Sequence, residues 1–176
     1  MLHILHDEIA KICPISCICE LGNNNYRIDY LEQPTQEQID QINELIDAWP
    51  LDKAKIEKTK KLDEYWNTIT TTGWITPYGW SLGLQPQDVT LLTGAFILLK
   101  EASNMGLANT TSIIDTNGIA HELNLSEMTQ LMLAYGQHRT QISQEYAAKK
   151  QIIQTISSIS ELDDFSVEAP LPWYIP

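Results

Sequence analysis

The chain has 176 residues, enough for one medium domain or two small ones with a real core. Its 43% apolar and 19% charged residues are typical of a folded protein, not a disordered one. A formal net charge of −12 works against nucleic acid, whose phosphates need Lys and Arg to displace counterions, and against anionic membrane surfaces.

The acid is unevenly spread: −7 over residues 1–50, +1 over 51–66 and −6 over 67–176. The lysines concentrate in LDKAKIEKTKKLDEYW, where interleaved acids describe a solvated helix face with i,i+4 pairing. MLHILHDEIAK carries acids where a secretory leader needs cations, and no apolar run reaches spanning length. A cytoplasmic protein is expected.

Leu2, Leu5, Ile9 and Ile12 recur at steps of three and four and predict a short helix ended by Pro14. All three cysteines fall in CPISCIC, residues 13–19. An odd count in a reducing compartment argues against a disulfide framework, and C-x3-C-x-C with His3 and His6 nearby matches no ligand motif. Structural cysteines are expected, with metal or redox chemistry as the alternative and no cofactor implied. ISCICEL and YRIDYL read as strands joined through GNNN, with Cys17 and Cys19 on one face of the first and Tyr26, Ile28 and Tyr30 on one face of the second.

Thr35 and Gln38 form a capping box ahead of the stripe Ile39, Ile42, Leu45, Ile46 and Trp49. Residues 1–50 are therefore expected to form a helix–hairpin–helix unit. Pro50 is expected to break the second helix, leaving 51–70 as a connector helix with apolar positions Ile56, Leu62, Trp66 and Ile69. The stretch 71–86, TTGWITPYGWSLGLQP, suggests turns around short extended pieces. Its aromatics either plug the adjacent core or face a partner, for which Trp and Tyr are favoured anchors.

PQDVTLLTGAFILLKEASNMG predicts a buried helix with Asp88 as its N-cap or first-turn acid and Gly106 at its end. TSIIDTNGIAHELNL predicts a hairpin with Thr-Asn-Gly at the turn. Ser126 and Glu127 open a long helix whose stripe is Met128, Leu131, Met132, Tyr135, His138 and Ile142. It runs to about Ile156, and Ser160 opens a short SELDDF turn. The tail 166–176 is Pro-rich and extended. The fold class expected is helix-rich α+β, with a helical domain over 71–165 that carries one short hairpin.

No Gly-rich phosphate loop, HExxH, nucleophile elbow or CxxC pair is present. Asp88, Asp115 and the pair Asp163–Asp164 could supply carboxylates for acid–base work, but caps and turns account for each. No catalytic, cofactor-binding or metal-binding residue is expected.

Residues 66–165 resemble a family of small phage and prophage proteins encoded beside tail-fibre genes. The likeness rests on GWITPYGWSLGLQPQD, TLLTGAFILLKEA, IIDTNGIAHELNLSEM and ISSISELDDF in that order. The opening, ILHDEIAKICPIS with YRIDYLEQPTQEQIDQI, is similar to tail-fibre-adjacent proteins of the XkdW-like kind. Where this chain has Tyr65, Trp66 and the aromatic-rich loop, the family usually carries basic or small residues. The resemblance implies a tail-fibre accessory, an assembly chaperone that holds the fibre's C-terminal region in the host cytoplasm. A permanent virion part, a fibre-tip cap or a baseplate adaptor, is the alternative. The expected partner is the tail-fibre protein, with homo-oligomerisation open, and the expected contacts are Trp74, Tyr78, Trp80, Trp173 and Tyr174.

Overall fold

The structure is a computed structural model that describes residues 1–22 and 24–170. It contains five helices and three two-stranded antiparallel sheets, the helix-rich α+β architecture expected from the periodicities. No described helix is long and apolar enough to cross a membrane. The chain divides into two compact units. Unit 1 comprises Met1–Thr59 with Ile153–Ser166, and unit 2 comprises Lys60–Ile152 with the segment from Val167 onward.

Unit 1 opens with α1 (Leu2–Ile12), followed by β1 (Ile15–Gly22) and β2 (Asn25–Tyr30). Pro14 cannot continue the helix, and Cys13 closes it in an extended conformation. The ladder pairs Ile18 with Ile28 and Glu20 with Tyr26, and its register shifts between Ile15 and Cys17. This irregularity lets Ile15 and Ile18, three apart, both reach the core although a regular strand alternates every two residues. Asn24, at φ 58°, takes the left-handed position of the turn, which Asn tolerates better than most residues.

The long helix α2 (Gln36–Thr72) starts at the predicted capping box. Gln38 N donates to Thr35 Oγ1 at 3.3 Å, and Thr35 N to Gln38 Oε1 at 2.9 Å. Gln38 Nε2 also reaches the Ile12 carbonyl at 2.7 Å, giving a partner to the frayed end of α1. The unit 1 core contains Leu5, Ile9, Cys13, Ile15, Ile18, Ile42 and Trp49, with Tyr26, Ile28, Tyr30 and Ile56 packed against it.

Pro50 does not break this helix, contrary to expectation; it lies inside α2. The ring removes one backbone donor and costs about 3 kcal/mol in a helix interior. Trp49 before it and Ile56 after it pack into the same core. Burial of two such side chains, about 1.5–3 kcal/mol each when complete, offsets that cost. The break expected at 50 is therefore absent, while the helix ends at Thr72, close to the expected 70. The boundary at Thr59/Lys60 falls inside α2, and residues 153–166 group with unit 1 rather than with the helical domain.

Gly73, at φ 89°, ends α2, and its N–H bonds the Ile69 carbonyl at 3.2 Å. A Cβ on Gly73 would stand 2.5 Å from the Leu82 carbonyl oxygen, so only glycine fits. The aromatic-rich stretch then forms a miniature hairpin, β3 (Trp74–Ile75) against β4 (Ser81–Leu82). Gly79, at φ 85°, supplies the left-handed residue of its turn.

Next come α3 (Pro86–Asn104), β5 (Thr110–Ile114), β6 (Ala120–Asn124) and α4 (Leu125–Thr155). Gln85 and Asp88 cap α3 reciprocally, with Gln85 N donating to Asp88 Oδ2 at 2.8 Å. Asn124, not Ser126, caps α4: its Oδ1 accepts from Ser126 N and Glu127 N, and Asn124 N in turn donates to Glu127 Oε2. Asn and Ser are equivalent N-caps, so adjacent candidates compete and strand geometry selects the first. The short helix α5 (Ile159–Asp164), in unit 1, is likewise capped by Ser158, two residues before the expected Ser160.

The unit 2 core joins Leu82, Leu84, Leu92, Leu99, Ile113, Leu123, Met128, Leu131, Tyr135 and Ile142. Its α4 stripe is the predicted one. The expectation for α3 fails: only Leu92 and Leu99 are buried, whereas Leu91 is 71% and Leu98 72% exposed. One helix packed on one side can hide only one stripe, and α3 is apolar nearly all round.

Candidate functional site

The aromatic loop expected to meet a partner is largely turned into unit 2. Trp74 stacks on His138 at 5.4 Å between ring centres and meets Tyr135 edge-on at 6.0 Å. Trp80 stacks on His121 at 4.3 Å, nearly parallel, and packs against the core. Tyr78 is the exposed member, 38% accessible, and its hydroxyl donates to the Glu127 carbonyl at 3.0 Å. Thus the three residues form one cluster, with Trp74 and Trp80 as plugs and Tyr78 as the rim. Trp173 and Tyr174 lie outside the described residues.

The Trp80–His121 stack rests on a buried carboxylate. His121 Nε2 lies 3.1 Å from Asp115 Oδ2, while Asp115 Oδ1 accepts from Asn117 N and Ile119 N across the β5–β6 turn. These bonds, that from His121 foremost, hold the Asp115 carboxyl below the usual aspartate range. Burial lowers the pKa of His138, because an apolar surround disfavours the imidazolium.

The expected carboxylates are placed as follows. Asp88 and Asp115 both line one groove between α3 and β5, but each is already engaged, by the α3 cap and by the hairpin turn. Asp163 belongs to α5 of the other unit. Among the described residues no group of three or more His, Cys, Asp or Glu is placed to hold a metal ion.

CPISCIC divides in two. Cys13 is core, as expected. Cys17 and Cys19 do share a face, but it is the half-exposed one, paired with Asp29 and Arg27. Cys17 Sγ donates to Asp29 Oδ2 at 2.9 Å, which Arg27 Nη2 also approaches at 3.1 Å. The carboxylate pushes the Cys17 thiol up, keeping it protonated and a poor nucleophile.

A second cavity, of about 300 Å³, is walled by Tyr65, Trp66, Ile142, Tyr146 and Lys149. Lys149 is only 1% exposed, and its ammonium is fully engaged. It bonds the Val167 carbonyl at 2.7 Å and Glu145 at 2.7 Å and lies 5.3 Å from the centre of the Tyr65 ring. Burial and the nearby Glu145 and Glu168 raise the Tyr65 pKa. With its charges matched internally, this cluster fastens the Val167–Pro170 segment to unit 2 rather than presenting a reactive group.

Sequence reasoning missed the largest uncovered feature. Among the described residues, ten of the fourteen exposed large apolar side chains lie between Ile75 and Leu133. They include Leu91, Ile97 and Leu98 of α3, Ile114 of β5 and Ile119 of the turn that follows it. The signal was present in TLLTGAFILL, whose apolar residues exceed what one buried stripe consumes. No protein-family model, no curated protein and no solved structure matches the chain.

Proposed function

We propose that this chain is a phage tail-fibre accessory protein, an assembly chaperone that covers apolar surface on the fibre's C-terminal region. The observation that carries this reading is the concentration of uncovered apolar side chains on α3 and the β5–β6 hairpin of unit 2. Apolar residues scattered singly are normal on a surface, so it is their concentration in one unit, ten of the fourteen described, that supports a protein-binding role. The −12 net charge supplies the solubility that such a surface would otherwise cost. Membership of the tail-fibre-adjacent group rests on the ordered motifs of the sequence, and the accessory role follows from it.

Co-expression with the tail-fibre protein encoded beside it, followed by size-exclusion chromatography, tests this function. Co-elution is expected, with more soluble fibre than when the fibre is expressed alone. Separate elution with unchanged fibre solubility would overturn the proposal. Stoichiometric recovery of the protein in purified particles would replace the chaperone with a permanent tail component.

A further inference from the structure

The Val167–Pro170 segment closes part of the cavity of about 300 Å³ in unit 2, with Glu168 and Pro170 in its lining. The remaining walls come mainly from α2 and α4, including Tyr65, Trp66, Ile69, Ile142 and Tyr146. Its size is that of the smaller ligand clefts. The segment belongs to no helix or strand and is tied to side chains of the cavity wall. Lys149 Nζ donates to the Val167 carbonyl at 2.7 Å, and the Tyr65 hydroxyl donates to the Glu168 carbonyl at 3.4 Å. Lifting the segment would deprive the Lys149 ammonium of one acceptor, a costly loss for a group only 1% exposed. The Val167 carbonyl therefore stands where the oxygen of a bound molecule could stand.

We infer that this cavity binds a small, uncharged molecule with a carbonyl oxygen on an aromatic body, and that Val167–Pro170 is a strap the molecule displaces. The ammonium sets the need for an acceptor, because all its hydrogens are donors and it has no route to water. Charge sets the neutrality. Glu145, 2.7 Å from Lys149, cancels the ammonium, and burial keeps the imidazole of His138 uncharged at neutral pH. The remaining charged group of the lining, Glu168, leaves with the strap. The walls left behind thus offer a carboxylate no net attraction, and the chain's net charge of −12 opposes it. Tyr65, Trp66 and Tyr146 favour a flat ring as the body. Strap and molecule compete for one N–H, so the strap is a built-in inhibitor of the site. This inference uses no part of the proposed fibre contact and stands or falls apart from it.

The test titrates the full chain at pH 7.5 with acetanilide, N-ethylaniline and phenylacetate, followed by NMR. N-ethylaniline replaces the carbonyl of acetanilide with a methylene and is uncharged at this pH, and phenylacetate is an anion of similar size. Saturable binding of acetanilide is expected, with shifted Trp66 and Tyr146 signals and faster amide exchange across Val167–Ala169. N-ethylaniline and phenylacetate should each bind about tenfold more weakly, the worth of one hydrogen bond to a charged donor. Lys149→Met keeps the apolar stem and removes the donor, so it should erase the preference for acetanilide over N-ethylaniline. Tyr65→Phe keeps the ring and loosens the strap, so acetanilide should bind it about two- to threefold more tightly. That variant provides an independent readout should Lys149→Met fail to fold. The inference is overturned by no saturable binding of acetanilide, by N-ethylaniline or phenylacetate binding as tightly, or by strap exchange that acetanilide leaves unchanged or slows. An undiminished preference for acetanilide in folded Lys149→Met, or unchanged or weaker acetanilide binding by Tyr65→Phe, would equally overturn it.

Discussion

The two units handle their apolar residues in opposite ways. In unit 1 the stripe of α1, one face of the hairpin and the start of α2 close on one another, leaving Met1, Leu21, Leu31 and Ile159 as its exposed large apolar residues. In unit 2 a comparable core forms, yet ten such residues remain outside it among those described. Amphipathic elements that meet in pairs consume their apolar faces. An element apolar all round, such as α3, cannot be consumed by one neighbour. Unit 1 thus buries most of its large apolar side chains, whereas unit 2 leaves more of them exposed among the described residues.

The largest effects should come from the cores, where the two units ought to behave alike. Ile9→Ala in unit 1 and Leu131→Ala in unit 2 each empty a fully buried site and should cost about 2–5 kcal/mol in urea denaturation. A cost well under 1 kcal/mol for either would deny that unit a packed core. Gly83→Ala should follow at roughly 2–3 kcal/mol, because its methyl would collide with the Asp88 carboxylate and dismantle the α3 cap. Asp115→Ala should cost about 1–3 kcal/mol by orphaning the Asn117 and Ile119 donors, and should broaden the Trp80–His121 contact in NMR spectra.

Acidification should sharpen the contrast further. His138 has a folded pKa below its unfolded value, so the unfolded chain binds the extra proton first and stability falls as pH drops below about 6.5. Asp115 has a folded pKa below its unfolded value too, and its contribution disappears only as pH falls below about 4. Thermal unfolding of unit 2 signals between pH 7.5 and 5.5 should therefore soften in the wild type and flatten in His138→Gln. The smallest stability effect is expected for Leu98→Lys, within about 0.5 kcal/mol, since the side chain is already in water. The same change should reduce binding of a hydrophobic dye, and unchanged dye binding would remove α3 from the uncovered surface.

Much of this was legible in the chain. Periodicity placed α1, both long hairpins and the α4 stripe, and Thr35 with Gln38 marked the start of α2, because these depend on contacts a few residues apart. The errors have a common origin in distance. Pro50 reads as a break until Trp49 and Ile56 are seen to share a core, and Cys17 reads as core until the irregularity after Ile15 turns it toward Asp29. Trp74 and Trp80 read either as core plugs or as partner anchors, and only the fold shows that His138 and His121, more than forty residues on, stack on them.

Helix, strand and turn were thus set by local chemistry: caps, glycines and the spacing of apolar side chains. Which apolar face found a neighbour was decided only in three dimensions. Burial is a property of pairs of surfaces, and α3 carries more apolar surface than its partners in unit 2 can cover.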